Sequence, residues 1–387
     1  PKRVSEGTGP CRGRCRPGDS ATESGTGDCY DIRYTGGTSA LWSTYYDPSA
    51  VSKLGQEVFS GLMRDVTQET VARVLATVPA GKAPGRDGVS IAMLRLLCPT
   101  ATEAGTQILT RLTNASLRLV VVPKHAKDAI VTMIPKGGGA GPVVTDVRKM
   151  RPITLLSELG KLTSRILADR VSTVFANEPS LLHVSQRAFQ RNGDTGQCVD
   201  VALDVLEDAR QAGTNVYCLS YDQAKAYDSV QQYTIECTLK RFGFPERAVK
   251  FFCSTLDDAQ SAVSTWHGPT DPFPVRTSVR QGDPFAPILF IMIADVLHRG
   301  YIDGSSGETA DVGYTFKHGA NTRVASCGYA DDVMVFAESP EALLRMYEWT
   351  RAFFGAHSFK LNTKKTKLTC TGSATADLAG KFLGVDG

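Results

Sequence analysis

Two adjacent carboxylates, Asp331 and Asp332, interrupt an otherwise apolar run, GYADDVMVFA, at residues 328–337. A third, Asp222, lies 109 positions before Asp331 and directly follows another apolar run, YCLSY. If the two runs are neighbouring strands, the carboxylates meet at one sheet edge, where they repel one another unless a cation neutralises them. Carboxylate oxygens suit Mg²⁺, and two such ions about 3.5–4 Å apart support in-line displacement at a phosphate. The pattern predicts nucleotidyl transfer; the alternative, a solvated Asp-Asp turn, is disfavoured by the apolar flanks.

The segments that must position these carboxylates alternate between strand-like and helix-like patterns. YCLSY and both halves of GYADDVMVFA have strand character. Apolar residues at helical spacing predict helices at about residues 102–119, 159–176, 195–212 and 340–355. Alternating helices and strands indicate an α+β or α/β protein.

The formal net charge of the 387-residue chain is only +3, so attraction to a polyanion depends on local clusters of Lys and Arg. One cluster, at residues 124–165, includes DAIVTMIPKGGGAGPVVTDVRKMRPITLL, which has the pattern of two extended arms joined by a glycine-rich loop. A second, FKLNTKKTKLTC at residues 359–370, carries four Lys and no acid. We expect the first cluster to form a basic hairpin able to fold over a ligand.

Residues 1–40 are rich in Gly, Ser, Thr and Arg without apolar periodicity, which predicts a disordered or linker-like tail. Within it, Cys11 and Cys15 of CRGRC are spaced like a zinc half-site; two unpaired thiols are the favoured alternative, because further ligands do not follow at the usual spacing. The ten cysteines are scattered, which favours a reducing compartment. No apolar run approaches the roughly 20 residues of a membrane span. We therefore expect an intracellular protein, cytoplasmic, nuclear or both.

Short motifs between Asp65 and Val385 follow one another in a family-like order: GKAPGRDGV, IPK, RPITLLSELGKLTSRIL, SQRAFQRNGDT, YDQAKAYDSV, RQGDPFAPILF, YADD, LNTKKTK and FLGV. Together they resemble the reverse transcriptase domain of non-LTR retrotransposons, with group II intron reverse transcriptases as more distant kin. Departures are small, such as Arg86 for the usual Pro and Ala188 for the usual Gly.

The resemblance implies a right-hand polymerase fold of the α+β class. The palm would be an antiparallel sheet backed by helices, joined to a fingers subdomain, with the thumb largely absent. By this interpretation residues 1–40 are the tail, 41–212 the fingers region with interleaved palm elements, and 213–387 the palm with the catalytic motifs and the start of the primer grip. Endonuclease, zinc-knuckle and ribonuclease H patterns are not visible in the sequence.

The resemblance also assigns the metal ligands. Asp222 and Asp331 would hold two Mg²⁺ ions, for which Mn²⁺ can substitute, and Asp332 would support them. We expect Asp331 to be indispensable and Asp332 to tolerate change better. Tyr227 matches the family's aromatic beneath the sugar, which excludes a 2′-hydroxyl and favours deoxynucleotides; a core tyrosine is the alternative.

Two further motifs are implied to bind the nucleotide. Gln281 and Gly282 of RQGDP lie beside the nascent base pair in the family, where glycine permits close backbone approach; a generic turn before a helix is the alternative. Lys136 and Arg151, on the arms of the basic hairpin, resemble the residues that grip the incoming triphosphate, to which a bidentate guanidinium is suited. A solvated basic face is the alternative for that pair.

Lys365 of LNTKKTK aligns with the family lysine proposed to protonate the leaving pyrophosphate. Its neighbour Lys364, or a solvated basic turn without a catalytic role, remain alternatives.

The implied partners are an RNA template, a DNA or RNA primer and dNTPs, bound mainly through phosphate contacts. No membrane partner is expected, and the oligomeric state stays open. The resemblance thus implies an RNA-directed DNA polymerase of a non-LTR retrotransposon. Two alternatives remain: a catalytically inactive or truncated nucleic-acid-binding module of the same fold, and an RNA-dependent RNA polymerase, against which Tyr227 argues.

Overall fold

The computed structural model describes Tyr46 and residues 51–136, 146–302, 312–319 and 322–371. The tail at residues 1–40 with its CRGRC motif, the glycine-rich loop at 137–145 and the FLGV motif at 382–385 lie outside these ranges.

The helices, in chain order, are α1 (Val51–Val58), α2 (Gln68–Thr77), α3 (Ile91–Leu97), α4 (Ala104–Leu119), α5 (Lys124–Lys127), α6 (Glu158–Asn177), α7 (Thr195–Ala212), α8 (Gln232–Arg241), α9 (Glu246–Ser254), α10 (Ala286–Gly300) and α11 (Pro340–Ala356). The strands are β1 (Ala129–Pro135), β2 (Met150–Leu156), β3 (Tyr217–Tyr221), β4 (Gln223–Ala224), β5 (Gln260–Thr265), β6 (Gly268–Pro269), β7 (Phe273–Pro274), β8 (Tyr314–Thr315), β9 (Arg323–Val324), β10 (Ser326–Tyr329), β11 (Asp332–Ala337), β12 (Lys360–Leu361) and β13 (Lys367–Cys370). The four helices predicted from apolar spacing correspond to α4, α6, α7 and α11.

Local capping explains why the predicted helix ends are close to the observed ones. α7 begins after Asp194, whose side chain accepts a hydrogen bond from the backbone N–H of Gln197, and ends at Gly213, whose φ of 65° is left-handed. α11 begins after Ser339, which caps it in the same way. These signals are short-range, so the sequence alone carries them.

The main sheet is antiparallel with the strand order β10-β11-β3-β13. Leu219 and Val335 point into the large core that includes α10 and α11. Cys218 and Phe336, one position along each strand, point into a second core with α7. Apart from Ser220 and Asp332 both strands are apolar, because helices cover both faces of the sheet. The expected α+β class, with an antiparallel sheet backed by helices, is confirmed.

A second sheet has the order β2-β1-β5-β6, with β7 also paired to β5. Its strands β1 and β2 are antiparallel, with Ile134 opposite Arg151, and they form the two arms of the expected basic hairpin. Strand β5 joins β1 in parallel, with Val263 level with Val131. Among the helices in the described ranges, none is long and apolar enough to cross a membrane. The proposed boundaries between fingers and palm stay predictions.

Candidate active site

The turn between β10 and β11 carries Asp331. Tyr329 pairs with Asp332 across the hairpin, which leaves Ala330 and Asp331 as the two turn residues. Ala330 has a φ of +58°, in the left-handed region that residues with a β-carbon seldom adopt. Asp331 is half-buried and Asp332 is exposed. The unusual backbone at Ala330 therefore sets the direction in which the chain enters Asp331.

Asp222 reaches the same edge because β3 lies next to β11. Tyr221 pairs with Val333, so Asp222 and Asp332 occupy the next positions on the two strands. Facing residues of an antiparallel pair have α-carbons about 4.5–5.5 Å apart. The three carboxylates separated in sequence thus meet at one end of the main sheet.

The electrostatics of this edge are unfavourable without a cation. Burial raises the pKa of Asp331 and of Asp332, and the negative charge of Asp222 raises both further. Asp332 has the same effect on Asp331, while the ammonium group of Lys365 lowers the pKa of both. Asp331 and Asp332 therefore each ionise less readily than an isolated aspartate.

Asp222 is held by the LNTKKTK segment. Its Oδ2 accepts a hydrogen bond from Nδ2 of Asn362 at 2.8 Å, and its Oδ1 lies 3.3 Å from Nζ of Lys365. The backbone N–H of Asn362 also donates to the carbonyl oxygen of Asp222 at 2.8 Å. The pairing of β12 with β4, directly after Asp222, brings this segment into place. Asn362 was missed by sequence reasoning, although its motif had been recognised.

The side chains present fit a divalent metal ion in their chemistry. Three carboxylates supply the hard oxygen donors that Mg²⁺ prefers, and the raised pKa values of Asp331 and Asp332 are what a cation would relieve. In the part of the chain that the structure describes, no group of three or more His, Cys, Asp or Glu side chains is arranged to hold a metal. Asp222 instead contacts Asn362 and Lys365, so the Lys365 ammonium supplies the positive charge at this edge.

Sequence reasoning also missed Gln186, a residue of the SQRAF motif that is only 1% exposed. Its Oε1 accepts a hydrogen bond from the N–H of Ala330 at 3.0 Å, and its Nε2 donates to the carbonyl oxygen of Ala330 at 3.2 Å. Oε1 also accepts from the N–H of Ala188 at 3.0 Å, and the Gln186 backbone forms a bridge to Gly328 on β10. One buried amide thus contacts both polar backbone atoms of the turn residue that precedes Asp331. Its sequence neighbours Ser185 and Arg187 are polar, so membership of the SQRAF motif was the available signal.

Tyr227 lies beside the carboxylates, in a 3₁₀ turn at Tyr227–Ser229. Its ring stacks on that of Phe290, with centroids 4.9 Å apart and planes 10° from parallel. Burial raises its pKa, and the charge of Asp331 adds to the increase. Its carbonyl oxygen accepts from the N–H of Val279, which ties this turn to the chain entering the RQGDP motif.

Gln281 and Gly282 dock on β2 of the second sheet. The carbonyl oxygen of Gln281 accepts from the N–H of Thr154 at 2.9 Å. Gly282 has a φ of +132°, and a β-carbon there would lie 2.2 Å from the carbonyl oxygen of Thr154. Glycine is required by this close approach of two backbones, and the position of the motif beside the nascent base pair stays a prediction.

Lys136 and Arg151 are exposed on the basic hairpin. Lys136 follows β1, and its backbone N–H donates to the carbonyl oxygen of Lys149 at 2.9 Å. The structure therefore groups Asp222, Asp331, Asp332, Lys365 and Tyr227 at the end of the main sheet. Lys136 and Arg151 lie on the second sheet, which is joined to this group through the contact of Thr154 with Gln281.

Comparison with known proteins identifies a matching family and several similar proteins. The family described as "Reverse transcriptase (RNA-dependent DNA polymerase)" matches residues 134–386. The transposon TX1 uncharacterized 149 kDa protein of Xenopus laevis is 25% identical over 315 residues, covering 81% of this chain and 22% of that protein. The Pol polyprotein from the type-2 retrotransposable element R2DM of Drosophila melanogaster is 27% identical over 290 residues, covering 74% of this chain and 25% of that protein. The chain thus spans about a quarter of the length of these relatives.

A solved structure of telomerase from Candida Tropicalis, in complex with a fragment of telomeric RNA, is 13% identical with a TM-score of 0.44. The similar region covers 70% of this chain and 45% of that one.

Proposed function

Because this chain belongs to the reverse transcriptase (RNA-dependent DNA polymerase) family, we propose that it copies an RNA template into DNA by adding dNTPs to a primer 3′-hydroxyl. The observation that carries the proposal is the meeting of Asp222, Asp331 and Asp332 at one sheet edge with Lys365 beside them. Carboxylates gathered in this way can hold cations, which would in turn bind and position the polyphosphate, and such positioning is most of what nucleotidyl transfer requires of a protein.

Reverse transcriptases depend in general on divalent metal ions. We propose two Mg²⁺ ions, replaceable by Mn²⁺, with Asp222 and Asp331 as ligands and Asp332 in support. When bound, such ions activate the attacking hydroxyl and neutralise charge on the leaving pyrophosphate. The raised pKa values of Asp331 and Asp332 support this assignment, because they indicate carboxylates gathered without enough positive charge.

Side chains of the protein would position the metal-binding turn and supply a proton. Gln186 holds the turn before Asp331 in one conformation, so the Asp331 carboxylate does not need to be ordered during the reaction. Lys365 lies 3.3 Å from Asp222, where its ammonium group can donate a proton to the departing pyrophosphate. The same contact supports Lys365 over Lys364 as the acid, since Lys365 reaches the carboxylate edge.

Nucleotide selection is assigned to residues around this edge. Tyr227, fixed by its stacking on Phe290, would exclude a ribose 2′-hydroxyl. Gln281 and Gly282 would lie beside the nascent base pair. Lys136 and Arg151 would contact the triphosphate. Both side chains are exposed on the basic hairpin, where a triphosphate can reach them.

For the whole protein we propose an RNA template, a DNA or RNA primer and dNTPs as partners. We also propose the fingers region at residues 41–212 and the palm at residues 213–387. The relatives named above come from retrotransposons, which supports an origin of the same kind.

Primer extension on an RNA template tests the activity, with dNTPs and rNTPs in parallel reactions. Asp331→Asn should abolish extension, while Asp204→Asn, at an exposed position on α7, should leave it unchanged. Extension that persists in Asp331→Asn would disprove the assigned site. Binding without extension by the parent chain would favour a non-catalytic nucleic-acid-binding module, and preference for rNTPs would favour an RNA polymerase.

A further inference from the structure

Trp266 stands at the tip of the hairpin formed by β5 and β6 and is fully exposed, at 102%. Thr265 pairs with Gly268, so Trp266 and His267 are the two turn residues. Tryptophan is highly buried on average in folded proteins. A completely exposed indole at the tip of a hairpin is therefore a feature to be explained by a contact with another molecule.

The hairpin beneath Trp266 is held by two threonines. Thr265 Oγ1 donates to the carbonyl oxygen of Gly268 at 2.6 Å and accepts from the N–H of His267 at 3.2 Å. The N–H of Thr270 donates to the carbonyl oxygen of Val263 at 2.9 Å, and Thr270 Oγ1 accepts from the N–H of Val263 at 3.0 Å. The indole is thus presented on an ordered support, which reduces the entropy lost when a ligand binds.

Trp266 follows a strand that belongs to the same sheet as the basic hairpin. Val263 is level with Val131 in the parallel pair of β5 and β1, and Trp266 and Ile134 each lie three residues further along. Ile134 is opposite Arg151. Strand β5, which leads to Trp266, is therefore two strands away from β2, which carries Arg151, a spacing of about 10 Å where the strands are paired.

We use the term distal end for this end of the second sheet, defined by Lys136, Lys149, Arg151 and Trp266. All four are exposed. The carboxylates that neighbour these residues in sequence are Asp146, three positions before Lys149, and Asp271, two positions after β6. The distal end thus combines one exposed aromatic ring with a small excess of positive charge.

This combination fits a single-stranded nucleic acid better than a protein. A stable protein interface buries about 800 Å² on each partner around an apolar centre, which one projecting indole does not provide. Proteins that bind single strands instead stack bases on aromatic side chains and track the backbone with cations. A base has two flat apolar faces, and each nucleotide brings a phosphate that Lys149 can contact.

We propose that Trp266 stacks on an unpaired base of the RNA template strand, at a position just ahead of the nucleotide held by Arg151. Lys149 contacts the phosphates of the same strand. The identity of the strand rests on the proposed function, whereas stacking on a single strand rests on the distal end itself.

Binding of a fluorescently labelled 12-nucleotide oligouridine RNA, followed by anisotropy without dNTPs, tests the stacking. Trp266→Leu, which keeps an apolar side chain, should raise the Kd roughly 5- to 150-fold, the effect of losing one stacked base. Trp266→Tyr should retain most of the affinity because it keeps an aromatic face. Phe273→Leu, at an exposed aromatic on β7 of the same sheet, is the matched control and should bind like the parent.

Intrinsic fluorescence provides a second reading. The RNA should quench the indole emission of the parent chain. The quenching due to Trp266 is the quenching in the parent minus the quenching in Trp266→Tyr. Trp42 and Trp349 are present in both chains and therefore cancel in that difference. Trp349 is also buried, with its indole N–H donating to the carbonyl oxygen of Leu297 at 3.1 Å.

Parental affinity and parental quenching in Trp266→Leu would overturn the proposal. A loss of self-association in Trp266→Leu, with RNA binding unchanged, would also overturn it and would assign the indole to a contact between copies of the chain.

The failure of the proposed function gives a different pattern. Asp331→Asn should lose extension but keep the quenching. If the parent does not extend a primer yet shows the Trp266-dependent quenching, the stacking stands without the polymerase. If the parent extends primers and Trp266→Leu binds and extends normally on templates with a six-nucleotide overhang, only the stacking proposal fails.

Discussion

Replacing Gln186 with Met removes the amide that holds the catalytic turn while changing the side-chain volume little. Three backbone groups lose a partner: the N–H and carbonyl oxygen of Ala330 and the N–H of Ala188. The amide is buried, so water does not replace these bonds readily. We expect Ala330, with its left-handed backbone, to relax toward more common conformations and to shift Asp331 with it.

The size of the effect follows from the hydrogen bonds. A buried polar group left without a partner costs about 1–3 kcal/mol, and three groups are affected, with partial relief by relaxation of the turn. We expect a loss of about 2–4 kcal/mol in the free energy of unfolding. Mutation of groups that orient metal ligands typically weakens metal binding about 10- to 100-fold. The Mg²⁺ concentration for half-maximal primer extension should therefore rise at least about tenfold in Gln186→Met.

Urea denaturation measures the first quantity, and Mg²⁺ titration of primer extension measures the second. Leu117→Ala is the matched control, because Leu117 is fully buried on α4 and its truncation costs about 2–5 kcal/mol without touching the site. Both variants should be destabilised, but only Gln186→Met should need more Mg²⁺. An unchanged Mg²⁺ requirement in Gln186→Met would refute the idea that the amide positions Asp331.

The remaining predictions concern the carboxylate edge. Burial and repulsion raise the pKa of Asp332 and Asp331 in the folded chain, so their ionisation destabilises the fold at a pH above the raised pKa and has no effect below the pKa of the unfolded chain. Asp332→Asn should therefore raise the Tm of the metal-free protein at pH 7 but not at acid pH, as differential scanning fluorimetry would record. Lys365→Met should lower kcat on the order of 10²-fold, while Lys364→Met leaves kcat unchanged; equal effects of the two substitutions would refute the assignment of the acid. Tyr227→Val should reduce the preference for dNTPs over rNTPs in kcat/KM at least about tenfold, and an unchanged ratio would contradict a steric role for the ring.

Local signals in the sequence determined most of the elements. The limits of α7 were predicted because Asp194 and Gly213 cap it, and such caps act within a few residues. Strand β3 was predicted because a strand covered on both faces is mostly apolar, and Ser220 is the exception in β3. The resemblance to reverse transcriptase domains of non-LTR retrotransposons is confirmed by the matching family and by the relatives from retrotransposons.

Tertiary structure decided which residues share the site with the predicted ones. The sequence named Asp222 and Asp331, but the contacts of Gln186 with Ala330 and of Asn362 with Asp222 join positions 140 or more residues apart. Local spacing carries no information about such pairs, because strand order and register determine them.

The distal end illustrates the same limit. Trp266 ends the segment SAVSTW, which has the pattern of an ordinary strand, and only the pairing of β5 with β1 brings that strand into the sheet of the arm that carries Arg151. The sequence by itself therefore determined the type of chemistry, since that depends on which side chains are present. Their distances, their burial and their neighbours were decided by the packing of strands that the chain connects over long loops.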